Sequence, residues 1–276
     1  SRFPLNASDA AAREMGYAAA PLDDVLTFHI VFGKTVPDIS LNAIANLGYA
    51  CGIFHQPVYP GDTLSTESEV IGLKQNSNGK TGTVYVRSTG RNQRGETVLS
   101  YVRWVMVRKR LPRSAAPERH IPNLPEAVAV ADLAPPRDVS YARYDTGLTA
   151  QPYLFEDFEP GERIDHVDGM TIEESEHQMA TRLFHNTARV HFNQFYEKDG
   201  RFGRRIVYGG HIISIARSLM FNGLGNAIAV LAINGGKHTN PSFAGDTIFA
   251  WSEIVSKHDL PGRTDAGALR VRTGAT

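Results

Sequence analysis

The two stretches Pro60-Gly61-Asp62-Thr63 and Ala244-Gly245-Asp246-Thr247 decide how this chain is read. Around them, residue n matches n+184 without a gap: Leu47 with Leu231, Gly52 with Gly236, Pro57 with Pro241, and Ser68-Glu69 with Ser252-Glu253. Self-similarity at a fixed spacing marks a structural unit that occurs more than once. Shifted by one, the match continues downstream, where Gly82 and Val86-Arg87 meet Gly267 and Val271-Arg272. Upstream, a block at n+176 sets Ile30-Val31-Phe32-Gly33 against Ile206-Val207-Tyr208-Gly209. The chain therefore reads as two copies of one unit.

Each copy is expected to hold an apolar helix, a loop marked by Gly and Pro, and a set of strands. In the second copy the helix is placed at His211 to Gly223, because Ile212, Ile215, Ala216, Leu219 and Met220 recur at three- and four-residue spacing. In the first it is placed from Thr35, with Ile39, Ala43, Ile44 and Leu47 as its apolar face and Pro37 in its first turn. Thr83 to Ser88 and Val98 to Val107 alternate with period two and are rich in β-branched and aromatic residues, so they predict neighbouring strands of an antiparallel sheet. Residues 1–110 form the first unit and 153–276 the second. The Pro- and Ala-rich stretch 111–152 reads as a linker over the surface. The lead-in Tyr153 to Gly161 and the helix start Thr171-Ile172-Glu173-Glu174 have no counterpart in the first copy, and the strand Glu96 to Arg108 has none in the second. The expectation is that the natural polypeptide extends beyond this sequence at both ends.

Hydrophobic content of 42% and charged content of 21% suit a chain that buries a real core. The net charge is zero, which supplies no global field for nucleic acid or an acidic membrane. No stretch reaches the roughly 18–20 apolar residues of a membrane span. The single cysteine, Cys51, excludes an intramolecular disulfide and suits a reducing, cytoplasmic setting. No metal-binding spacing, dinucleotide fingerprint or P-loop is present.

Features present in both copies read as structural. Asp62 and Asp246 are thus turn carboxylates, and the helix-entrance glycine, Gly33 opposite Gly209, is at least partly structural. Features in one copy only are candidates for chemistry. At the upstream spacing Asn186 and His191 stand opposite Ala10 and Met15, Gly210 opposite Lys34, and His211 opposite Thr35. Histidine is the side chain most readily poised for proton transfer near neutrality. Two glycines at a helix N-terminus let a ligand oxygen approach unpaired N–H groups, although a tight turn before a helix uses glycine too.

The segments Asn186-Thr187-Ala188-Arg189-Val190-His191-Phe192-Asn193, Phe28 to Asp38 and Arg205-Ile206-Val207-Tyr208-Gly209-Gly210-His211 resemble the MaoC-like hydratase/dehydratase family. Within it they are most similar to the mesaconyl-CoA (2-methylfumaryl-CoA) hydratase branch, also called β-methylmalyl-CoA dehydratase. His191 matches the family's signature histidine and Gly209 its entrance glycine. Asn186 stands where the family has Asp, and Tyr208 where it has the entrance His.

The resemblance implies an α+β double hotdog fold, with an antiparallel sheet wrapped around a central helix in each unit. It also implies reversible, cofactor-free hydration of a branched C5 dicarboxylic acyl-CoA, in which coenzyme A is part of the substrate. A homodimer is expected. In that reading His191 is the acid/base, the Gly209 and Gly210 N–H groups hold the enolate oxygen, and Asn186 orients water. Arg189, or Arg182 two turns before it on a continuous helix, would bind the substrate carboxylate. Tyr208 and His211 would line the site, and Arg204, Arg205 and Lys237 are candidates for the coenzyme A phosphates. An acyl-CoA thioesterase and a non-catalytic acyl-CoA-binding protein are the competing readings.

Overall fold

The computed structural model describes residues 2–41, 43–111 and 113–276. Two short helices, α1 (Pro4–Ala7) and α2 (Asp9–Glu14), lead to α3 (Asp24–Lys34), whose N-cap Asp23 accepts from the Val25 N–H. A π-helical turn over Val36–Ser40 follows. Next come the strands β1 (Ala43–Phe54), β2 (Ser65–Gln75), β3 (Thr81–Arg91) and β4 (Thr97–Arg108). Residues 113–162 hold only short 3₁₀ turns, with Leu73 and His120 forming a single bridge. The second half runs β5 (Arg163–Thr171), α4 (Glu174–Leu183), α5 (Gln194–Glu197), α6 (Gly209–Leu219), the kinked turn α7 (Phe221–Leu224), β6 (Ala232–Gly236), β7 (Thr247–Asp259) and β8 (Gly267–Ala275).

Two antiparallel sheets result, ordered β2-β3-β4-β1-β6 and β5-β7-β8. Each wraps a helix. Phe28, Val31 and Phe32 of α3 pack on Tyr49, Leu99 and Tyr101, while Ile215, Ala216 and Leu219 of α6 pack on Ile248 and Ala250. At about 1.5–3 kcal/mol per fully buried large side chain, these two clusters are the main stabilising term of each half.

The repeat is visible in the ladders. Glu69 pairs with Arg87 and Glu253 with Arg272 in register, and each pair carries an ion pair, at 3.3 and 3.0 Å. The turn carboxylates also match, since Asp62 Oδ2 accepts from the Tyr59 N–H at 2.9 Å and Asp246 Oδ2 from the Phe243 N–H at 2.8 Å.

The upstream block differs from the expectation. Ile30 to Gly33 lies inside α3, whereas Ile206 to Tyr208 is the extended approach to α6. A separation of 185 residues instead relates Asp24 to Gly209 and Lys34 to Leu219, the first and last residues of the two helices. His29 and Ser214 share that separation and meet where the helices cross, Nε2 to Oγ at 2.7 Å. Gly209, Gly210 and His211 thus stand opposite Asp24, Val25 and Leu26, and both glycines belong to the second copy alone. The helix expected from Thr35 is also corrected: Ala43 to Leu47 opens β1, a strand paired on both sides. Glycines let its neighbours close in, since a Cβ at Gly48 would lie 2.4 Å from the Trp104 ring and one at Gly52 2.9 Å from Ile233.

The end strands β6 and β8 of the two sheets flank a cleft of about 2460 Å³, also lined by the N-terminus of α6 and the loop before it.

Candidate active site

The site begins where α4 stops. His185 takes a left-handed conformation, φ 55°, which turns the chain inward and buries Asn186. The Asn186 N–H donates to Thr181 O at 3.0 Å, and its Oδ1 accepts from the Ala188 N–H at 3.1 Å. The turn that follows, Arg189–His191, is fastened to the approach to α6 by two bonds. Ile206 N–H donates to Val190 O, and His191 Nδ1–H donates to Ile206 O, each at 3.1 Å. With Nδ1 as donor, the neutral imidazole carries its lone pair on Nε2. Burial pushes the His191 pKa down to about 4, aided by the neighbouring His177 and His238. His191 is therefore neutral at physiological pH and free to accept a proton.

On its other side the approach to α6 is held by Val207 N–H donating to Ser242 O at 2.8 Å. Tyr208, the N-cap, offers no side-chain cap to the helix. Its buried ring lies 5.7 Å from that of His191 and stacks on Phe32, with its hydroxyl 3.3 Å from His29 Nδ1. The two glycines explain how the rings fit. A Cβ on Gly210 would lie 2.3 Å from the Tyr208 ring, and one on Gly209 2.5 Å from that of His238. The first N–H groups of a helix lack intrahelical partners and sit at the positive end of its dipole, and Gly209, the first residue of α6, lines the cleft.

Asn186, His191, Tyr208 and Gly209 all line that cleft, while Gly210, the next residue of α6, is buried. The arginines do not converge there. The helix carrying Arg182 ends at Leu183, so Arg182 and Arg189 share no helical face. Both are exposed, and Arg189 stacks over Tyr196. Arg204 stacks on Phe243, and Arg205 is bound to Glu174, Gln178 and Phe192 O. Lys237 lies on the cleft beside His238. His211 turns toward α4, with its Nε2 3.9 Å from Glu176, and burial lowers its pKa despite that carboxylate.

A family model described as mesaconyl-CoA hydratase matches residues 4–135. The β-methylmalyl-CoA dehydratase of Chloroflexus aurantiacus is 66% identical over 276 residues, covering 100% of this chain and 78% of its own length. The chain belongs to the mesaconyl-CoA hydratase family. A solved structure described as a putative MaoC domain protein dehydratase from Chloroflexus aurantiacus superposes with a TM-score of 0.97 at 65% identity, covering 100% of this chain and 79% of that one. A conserved hypothetical protein of Mycobacterium tuberculosis, described as having a double hotdog fold, superposes with a TM-score of 0.76 at 26% identity, covering 100% and 81%. The fold of this mesaconyl-CoA hydratase family member is accordingly the double hotdog.

The structure adds residues that the sequence reading did not single out. His238 rests against Gly209, and Tyr49 of the other half holds it, hydroxyl to Nε2 at 3.2 Å. Tyr49 is buried, with its hydroxyl pKa pushed far up by burial, so it remains a protonated donor. Donation to Nε2 satisfies that hydroxyl hydrogen and leaves the His238 proton on Nδ1. The signal was available: His238 lies 184 residues after Phe54, so it is another residue unique to the second copy.

Proposed function

We propose that this chain catalyses the reversible hydration of mesaconyl-CoA to β-methylmalyl-CoA, a hydro-lyase reaction on a branched C5 dicarboxylic acyl-CoA. The carrying observation is His191, whose Nδ1–H bond to Ile206 O leaves Nε2 as a base on the cleft beside the N-terminus of α6. In the hydration direction, His191 Nε2 takes a proton from water as the water oxygen bonds to the β carbon. The electron pair of the double bond moves toward the thioester oxygen, where the Gly209 and Gly210 N–H groups and the His238 Nδ1–H favour the developing charge. The imidazolium of His191 then returns its proton to the α carbon, so that H and OH have been added and the base is regenerated. Asn186 cannot titrate; its Oδ1 accepts from the Ala188 N–H, and its amide N–H groups orient the water.

This reaction moves no electrons to a carrier, so coenzyme A enters only as part of the substrate. No helix among the described residues is long and apolar enough to cross a membrane. A cytoplasmic homodimer is the form proposed to act.

The test follows the enoyl-thioester absorbance with mesaconyl-CoA and with crotonyl-CoA, while a thiol reagent monitors free coenzyme A. Loss of the chromophore without thiol release, faster on mesaconyl-CoA, is the expected result. Thiol release with no hydrated product would overturn the assignment in favour of a thioesterase.

A further inference from the structure

Arg103, on β4, is fully buried, and among the described residues no carboxylate lies within ion-pair distance of it. Its Nη1 donates to Ser40 Oγ at 2.7 Å and its Nη2 to Thr35 Oγ1 at 2.8 Å, and its guanidinium lies 4.3 Å from the Phe32 ring centroid. Among the described residues Nε has no partner, nor do the buried Asn46 Nδ2 and Oδ1. Burying a cation without a counter-charge is expensive, and so is every orphaned polar atom beside it. Such a group calls for an anion.

The geometry gives the anion a route. Thr35 has spent its hydroxyl hydrogen on Phe32 O, at 2.7 Å. Ser40 only accepts from Arg103, which leaves its own hydrogen to donate, and Ser40 and Asn46 both line the cleft. The same wall carries Tyr49, cross-strand neighbour of Arg103 and holder of His238 against Gly209. Phe32, under the guanidinium, stacks on Tyr208 beside His191. The orphaned polar set therefore borders the end of the cleft where the chemistry is placed.

We propose that Ser40 and Asn46, backed by Arg103, form the subsite that recognises the free carboxylate of the acyl group. The Ser40 hydroxyl, polarised by the guanidinium behind it, donates to one carboxylate oxygen, and the Asn46 amide donates to the other. The subsite rests on the reading of this cleft as an acyl-CoA hydratase site, and it assigns the carboxylate to the first hotdog while the acid/base group comes from the second.

Because Arg103 also holds the turn Val36–Ser40, Ser40→Ala and Asn46→Ala are the informative variants. Calorimetric binding of mesaconyl-CoA and crotonyl-CoA is measured alongside kcat and KM, with a thermal melt to confirm folding. Binding tests the subsite even where turnover fails, so the two readings fall separately. Wild type is expected to bind the dicarboxylic thioester about tenfold or more tightly than crotonyl-CoA, as a charge-assisted hydrogen bond supplies. Each variant is expected to shrink that ratio toward one and to raise KM for mesaconyl-CoA with kcat nearly kept. An unchanged ratio, an equal loss on both thioesters, or a wild type with no preference would overturn the subsite.

Discussion

His191 is set up as a base by what its other nitrogen does. The bond from Nδ1–H to Ile206 O fixes the tautomer, and burial holds the pKa near 4. Replacing it with Ala should lower kcat by roughly 10²–10⁴, the range for a positioned acid/base group. The acid limb of kcat/KM should then reflect this residue, with activity falling as pH drops toward about 4. A limb at the ordinary imidazole value of 6.5 would place the base elsewhere. Asn186, His191 and Gly210 were singled out by comparing the two copies at a spacing of 176, a register that the helices do not share. At the separation of 185 that relates α3 to α6, Gly210 stands opposite Val25 and remains distinct. The arginines were read from proximity along the chain, which is a poor guide here: the turn that points His191 inward leaves Arg189 outside on Tyr196. Tyr49, which meets the site from the first half, and its cross-strand neighbour Arg103 are separated from it by too much sequence for spacing to reveal them.

At the scale of elements, the strands and turns were legible and the first helix was not. Strands β3 and β4 alternate because one face of each packs on the core. Helix α3 is apolar nearly all round, from Val25 to Phe32, since the sheet wraps it and Tyr208 and Phe184 cover what remains. Such a helix shows no apolar stripe of period 3.6. The three- and four-residue spacing from Ile39 to Leu47 instead fell partly on a strand, the known ambiguity of short apolar runs. Gly33 gives this element its tested consequence. It is not a helix entrance but lies near the C-terminal end of α3, where the Phe184 carbonyl crosses so closely that a Cβ would sit 1.5 Å from its oxygen. The position of a Cβ is fixed by its own backbone and the atom it meets is a backbone carbonyl, so no rotamer relieves the clash. Gly33→Ala should therefore push the Phe184–Asn186 turn off the helix, destabilising by about 1–3 kcal/mol and reducing kcat because His191 hangs from the same loop. An alanine tolerated in both melting temperature and kcat would contradict the packing described.

The whole molecule stores histidines in neutral form, and this fixes how its stability depends on pH. Burial lowers the pKa of His29 to about 3 and of His191 to about 4. It also lowers His55, His166, His177, His211 and His238. In the unfolded chain these imidazoles take up protons near pH 6.5, whereas in the folded protein they do so only at lower pH. Their contribution is therefore fully present above about 6.5 and is lost as pH falls through the folded values, with a limiting slope of about 1.4 kcal/mol per pH unit for each proton. Asp24 acts in the opposite sense. Burial raises its pKa to about 7, so between about 7 and its unfolded value of 3.8 the folded state binds the extra proton and gains stability on acidification. Seven depressed imidazoles oppose one raised carboxyl, and urea midpoints should fall steadily from pH 7 to pH 5. Asp24→Asn removes the opposing group and should steepen the fall. His29→Phe, which takes away the most strongly depressed imidazole at the crossing of the two helices, should flatten it even while the lost bond to Ser214 lowers stability at pH 7. Stability that stays level or rises between pH 7 and pH 5 would mean that the histidines facing the cleft and the helix crossing are better solvated than their packing indicates.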